Sequence, residues 1–135
     1  KLTMELEMEN EALLEAQMPK LILQPLVENA VIHGLEGRIG QGIVRVIVEN
    51  SDRTLFLRVR DNGMGISEEQ VSQLNAQFSN EIGTVPLHSR GGIALRNVNS
   101  RIRLMFGEDY GLHIFSAEGV GTECCVPLPL LTREG

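Results

Sequence analysis

The chain has 135 residues, 42% of them apolar, and a formal net charge of −6. That length suits one domain with a single core, burying about 68% of the surface its unfolded chain exposes. The acidic balance excludes a general polyanion binder, and no run of 18 apolar residues offers a membrane-spanning helix.

The charge is unevenly spread. Residues 90–106 hold Arg90, Arg96, Arg101 and Arg103 and no acid, a pattern that suits a small anionic ligand. No signal peptide is visible, and the start at Lys1, in what reads as mid-strand, points to a piece of a longer protein. Cys124 and Cys125 are neighbours on an expected strand and so point to opposite faces. They read as small apolar residues of a reducing compartment, not as a disulfide framework or a metal site.

In chain order, residues 2–8 alternate: Leu2, Met4, Leu6 and Met8 against Thr3, Glu5 and Glu7. That is a half-exposed strand. Residues 10–18 form a polar connection closed by Pro19. In the stretch Leu21 to Gly34, Leu23, Leu26, Val27, Ala30 and Val31 recur at the spacing of an amphipathic helix. Pro25 is tolerated in a first turn, so the helix is expected to start between Ile22 and Gln24 and to stop at Gly34. Off the stripe lie Glu28, Asn29 and His33, either a solvated face or a polar site; Asn29 and His33 are one turn apart. Residues 35–42 hold three glycines and read as loop.

Strands follow at 43–49 and 55–60, a hairpin with a loop of about five residues. The second runs into Asp61-Asn62-Gly63-Met64-Gly65, an aspartate at a strand end followed by two glycines. It is either a common turn or a carboxylate beside an approachable backbone. Ser67 with Gln70 three residues later is a capping box for a helix over about 67–78. The pattern then dissolves from Phe78 to Arg90, the mark of a functional lid or of disorder. Gly91-Gly92 opens a helix with Leu95, Val98, Ile102 and Met105 as its core face and Gly107 as its stop. Glycines at a helix start leave N–H groups and the positive dipole end available to an anion. Strands near 112–118 and 122–128 close the chain, with a frayed tail. Order and pattern indicate a two-layer α+β sandwich, helices on one face of a mixed sheet.

The order of the three polar segments resembles the GHKL ATPase superfamily of gyrase, Hsp90, histidine kinases and MutL, with its Bergerat fold. Val27–His33 resembles its N box, Arg60–Ile66 its first glycine box and Arg90–Val98 its second. PKLILQPLVENAVIHG and GIALRNVNSRIRLMFG are similar to the LytS/YesM-like sensor histidine kinases. The fold implied is an α/β sandwich with a mixed, mostly antiparallel sheet of about five strands, covered on one face by three helices. The resemblance spans residues 15–128.

The resemblance implies ATP and Mg²⁺ as cofactors, with roles residue by residue. Asn29 would hold Mg²⁺, and Glu28 beside it would orient or deprotonate the attacking group. Asp61 would accept a hydrogen bond from the adenine amino group. Gly63 and Gly65 would let the backbone approach the base. Gly91 and Gly92 would meet the phosphates, with His33, Ile66, Arg90 and Leu95 completing the nucleotide site. Residues 67–90 would form a lid from which His88 or Arg90 reaches the terminal phosphate.

None of His33, His88 and His113 sits on a dimerisation helix. The resemblance implies a phospho-acceptor histidine and a dimerisation domain upstream, with a response regulator acting through that domain. The domain is expected to be cytoplasmic, in a protein anchored in the bacterial inner membrane, with no nucleic-acid partner. Ile32, where the family often has Lys, and Arg90 and Ala94, where it favours Gly, depart from the pattern. They keep a degenerate nucleotide sensor in view, beside an anti-sigma-factor-type serine kinase.

Overall fold

The computed structural model describes residues 2–8, 20–35, 40–51, 53–80 and 92–129. Five strands form one sheet: β1 (Leu2–Met8), β2 (Gly42–Ser51), β3 (Thr54–Asp61), β4 (His113–Ala117) and β5 (Gly121–Pro129), in the order β1-β2-β3-β5-β4. β1 is parallel to β2 and all other neighbours are antiparallel. Three α-helices among the described residues accompany it: α1 (Lys20–Asn29), α2 (Glu68–Asn80) and α3 (Gly92–Phe106).

Strand alternation decides which face the helices cover. In β3, Leu55, Leu57, Val59 and Asp61 are buried while Phe56, Arg58 and Arg60 point the other way. The register sets Val44, Val46 and Val48 on one side of that buried row and Cys124, Val126 and Leu128 on the other. Ile22, Leu26 and Ala30, then Leu74 and Phe78, then Leu95, Val98 and Ile102 close onto this face as one core. The two-layer architecture expected from the sequence is the one observed.

Several boundaries differ from expectation. α1 begins at Lys20, so Pro25 stands in its interior. Pro25 supplies no N–H to the carbonyl four residues back, yet the helix runs through it because Ile22 and Leu26, on either side, are fully buried. After Asn29 the coil widens into a π turn, Ala30–Gly34, closed by the Leu35 N–H on the Ala30 carbonyl at 3.1 Å. The β2–β3 pairing continues to Ser51 opposite Thr54, leaving two residues for the turn instead of five. Ladder hydrogen bonds need no apolar side chains, so the polar ends extend the hairpin. Met105 is 48% exposed, and Phe106 packs on the core in its place. Four residues, not three, separate the contact from Ile102, and the ring meets Tyr110 edge-on.

Phe78 is buried in the last turns of α2. Leu74 and Phe78 thus anchor α2 on the core, and a lid reading is confined to residues 81–90. That segment, with His88, Arg90 and Gly91, lies outside the described residues, as do the connection 10–18 and the tail 130–135.

Candidate functional site

Asp61 ends β3 on the helix-covered face and is 7% exposed. Its Oδ1 accepts the Gly63 N–H at 2.9 Å, and the Thr122 backbone N–H also meets the carboxylate. Burial pushes the carboxyl above its ordinary value, and the two N–H groups only partly offset that. A buried carboxylate at a strand end, met by these two backbone donors among the described residues, retains acceptor capacity for a ligand.

The segment after Asp61 is held from both sides. Asn62 Oδ1 accepts the Ile43 N–H at 2.7 Å and its Nδ2 donates to the Gln41 carbonyl at 3.2 Å, fixing the segment to the start of β2. The Gly119 N–H reaches the Met64 carbonyl at 2.7 Å, and the Ile66 N–H reaches Ser116 Oγ at 2.9 Å. Gly65 has φ +74°, and a Cβ there would fall on the Ala117 carbonyl oxygen. Its lack of a side chain makes room for the β4–β5 hairpin, a reason inside the protein itself. Gly63 is buried and Ile66 half-buried against the core.

Asn29 stands where α1 passes into the π turn, and that turn packs on β3. Such widened turns are frequent at functional positions because they re-aim side chains without ending the helix. Its Oδ1 is buried and has no hydrogen-bond partner among the described residues. Glu28 beside it is exposed, and Ile32 is 60% exposed. Leu95 is buried on α3, which packs against α1, and Gly92 is the first residue of α3. Asn29, Asp61 and Leu95 thus belong to elements packed on one another, Gly63, Gly65 and Ile66 to the loop that continues β3; His33 lies in the π turn.

Sequence reasoning missed two hydroxyl groups. Thr122 pairs with Asp61 in register, on the same face. Its Oγ1 lies 2.8 Å from Ser116 Oγ, which is also 2.9 Å from the Gly121 carbonyl. The legible signal was the Gly-Thr step opening the last strand. A cavity of about 530 Å³ opens at this end of the sheet, lined by Asp61, Asn62, Ser116 and Thr122 together with Arg45 and Arg60.

A mixed sheet with three helices on one face, and a dry strand-end carboxylate beneath them, defines a Bergerat-type nucleotide-site architecture. Residues 15–132 match the model of the histidine kinase-, DNA gyrase B- and HSP90-like ATPases, and the chain belongs to that family. Within it the chain is 37% identical over 106 residues to the sensor protein LytS of Oceanobacillus iheyensis, covering 76% of this chain and 17% of that protein. It is 36% identical over 114 residues to the sensor histidine kinase YpdA of Escherichia coli, covering 83% and 18%. The chain thus spans under a fifth of the length of these relatives. Among solved structures, the catalytic domain of the histidine kinase ThkA overlays 96% of this chain and 79% of its own, with a TM-score of 0.62 at 19% identity, a likeness of fold.

Proposed function

We propose that this chain is the ATP-binding catalytic domain of a sensor histidine kinase, donating the ATP γ-phosphoryl group to a histidine carried by another domain. The observation that carries the reading is Asp61, a buried carboxylate with unspent acceptor capacity at the end of a central strand. It would accept the 6-amino N–H of adenine, with Gly63 and Ile66 beside the base. Asn29 fits Mg²⁺: its orphaned, buried Oδ1 is the hard oxygen donor that ion takes. When bound, the ion neutralises charge on the phosphates. Glu28, exposed next to Asn29, would orient the acceptor. Gly92 would present its N–H to phosphate from the positive end of α3. Catalysis of this kind is positioning plus electrostatics.

The partners proposed are a dimerisation and histidine-phosphotransfer domain of the same protein and, through it, a response regulator. The domain is placed on the cytoplasmic side of a membrane-anchored sensor. No helix among the described residues is long and apolar enough to cross a membrane.

Titration calorimetry with Mg·ATP tests the reading. Wild type binds, and Asp61→Ala loses about 1–3 kcal/mol of affinity, the worth of a hydrogen bond to a charged group. Equal binding by both proteins overturns the assignment. Exposed Ile32, where the family often carries Lys, favours a second reading, a sensor that binds nucleotide without transferring it. Label from γ-³²P-ATP reaching an added dimerisation domain decides for the kinase; tight binding without transfer decides for the sensor.

A further inference from the structure

Ser116 makes three hydrogen bonds whose directions can be worked out. The Ile66 N–H can only donate, so Ser116 Oγ accepts it at 2.9 Å. The Gly121 carbonyl can only accept, so the single Ser116 proton goes there, at 2.9 Å. The third contact, 2.8 Å to Thr122 Oγ1, must then run from Thr122 to Ser116, because Ser116 has one lone pair left and no second proton. The Thr122 hydroxyl has spent its proton and remains an acceptor. It stands beside Asp61, its partner in the β3–β5 register and on the same face of the sheet. Asp61 and Thr122 thus present two acceptors side by side on this face of the sheet.

We propose that Ser116 is the positioning residue that makes the site select a purine bearing a 6-amino group over one bearing a 6-oxo group. It acts by fixing Thr122 as an acceptor beside Asp61. The inference rests on the nucleotide-site reading and deepens it. An exocyclic amine offers two N–H groups, one for each acceptor, whereas a 6-oxo base sets a third acceptor against them. A site built to bond an N–H rejects the analogue lacking it far more strongly than packing alone can achieve. Ser116 itself touches no ligand in this scheme. Without its oxygen, the Thr122 hydroxyl regains a free proton and can donate to a 6-oxo group.

The experiment compares binding of Mg·ATP and Mg·ITP, which differ in that one substituent and the N1 proton it entails. Wild type is expected to prefer ATP by about a hundredfold or more. Ser116→Ala should shrink that preference about tenfold, with the larger part of the change on the ITP side. Ser116→Thr keeps the hydroxyl and should keep the wild-type ratio. Equal losses for both nucleotides in Ser116→Ala, or a reduced ratio in both variants, assign Ser116 to packing and overturn the proposal. Asp61→Ala separates the two levels. If it weakens ATP binding while Ser116→Ala leaves the ratio intact, only the role of Ser116 fails. If it leaves ATP binding unchanged, the base is not read at this end and both readings fail.

Discussion

Asp61 shows how a residue can weaken the fold that it serves. Burial raises its pKa above the ordinary 3.8, so the folded state holds that proton more tightly than the unfolded chain does. Its contribution to stability is full below the unfolded pKa and is lost as pH rises through the raised folded value. Recognition of an amine has the opposite sign, because it needs the carboxylate, and strengthens over the same window. Urea titrations from pH 4 to 8 should show this stability slope in wild type and lose it in Asp61→Asn, while ATP affinity in wild type rises. A slope unchanged in the variant would assign the pH dependence to other groups. Gly65 is the complementary case. Its φ of +74° and the Ala117 carbonyl against it make Gly65→Ala costly by about 2 kcal/mol or more, readable as a lowered urea midpoint. The Asp-Asn-Gly-Met-Gly run marked this loop as special in the sequence, but the reason for Gly65 was out of reach. The residues that require it, Ala117 and Glu118, lie some fifty positions further along the chain.

At the scale of elements, local chemistry was legible and distant compensation was not. Ser67 and Gln70 form the capping box expected: the Gln70 N–H reaches Ser67 Oγ at 3.2 Å, and the Ser67 N–H reaches Gln70 Oε1 at 3.4 Å. Ser67→Ala should therefore cost about 1 kcal/mol in thermal unfolding, with no change in nucleotide affinity. The start of α1 was misread because an interior proline is a helix breaker in isolation, and only burial of Ile22 and Leu26 outweighs it. Asn99 carried no such local signal. It falls four residues after Leu95, on the apolar stripe, where an amide has no local purpose. In the fold it is 2% exposed; its Nδ2 donates to the Phe78 carbonyl and its Oδ1 accepts the Leu112 N–H, both at 2.9 Å. It ties the end of α2 to the approach of β4. Asn99→Leu leaves the buried Leu112 N–H unmet and the Phe78 carbonyl with Arg103 Nη1 at 3.2 Å, and should lower stability by about 1–3 kcal/mol in a urea titration. Asn75 serves β4 similarly, matching the Ile114 N–H and carbonyl with its own amide, so that the edge strand has a partner on one side.

The whole molecule has two faces, and Cys124 and Cys125 report on them separately. Cys124 lies in the core beneath the helices, its thiol pushed up to about 12 by burial. Cys125 is 7% exposed on the reverse face, which no described helix covers. What shields that face is a chain of ion pairs: Glu49 with Arg58 at 2.9 Å, Arg58 with Glu123 at 3.4 Å and Glu123 with Arg60 at 2.6 Å. Arg58 also lies over the Phe56 ring at 5.6 Å. Glu123 is the hinge of the chain, its side chain only 12% exposed. Burial holds the Cys125 thiol up, and the charges of Glu123 and Glu49 add to that against the opposing pull of Arg58. Glu123→Gln should therefore accelerate alkylation of Cys125, measured in a Cys124→Ala background, by opening the cover and easing ionisation together. Cys124, measured in a Cys125→Ala background, should stay silent until the core itself opens. Nucleotide binding distinguishes the faces further. A ligand at a hundred times its Kd adds about 2.7 kcal/mol to the folded state, or about a hundredfold in the population of the open form. Saturating Mg·ATP should slow Cys124 labelling by about that factor where reclosing outpaces alkylation. Labelling of Cys125 in the Glu123→Gln protein needs only the reverse face to loosen and should not change. Equal protection of both thiols would mean that the two layers open as one, and that the ion-pair cover has no stability of its own.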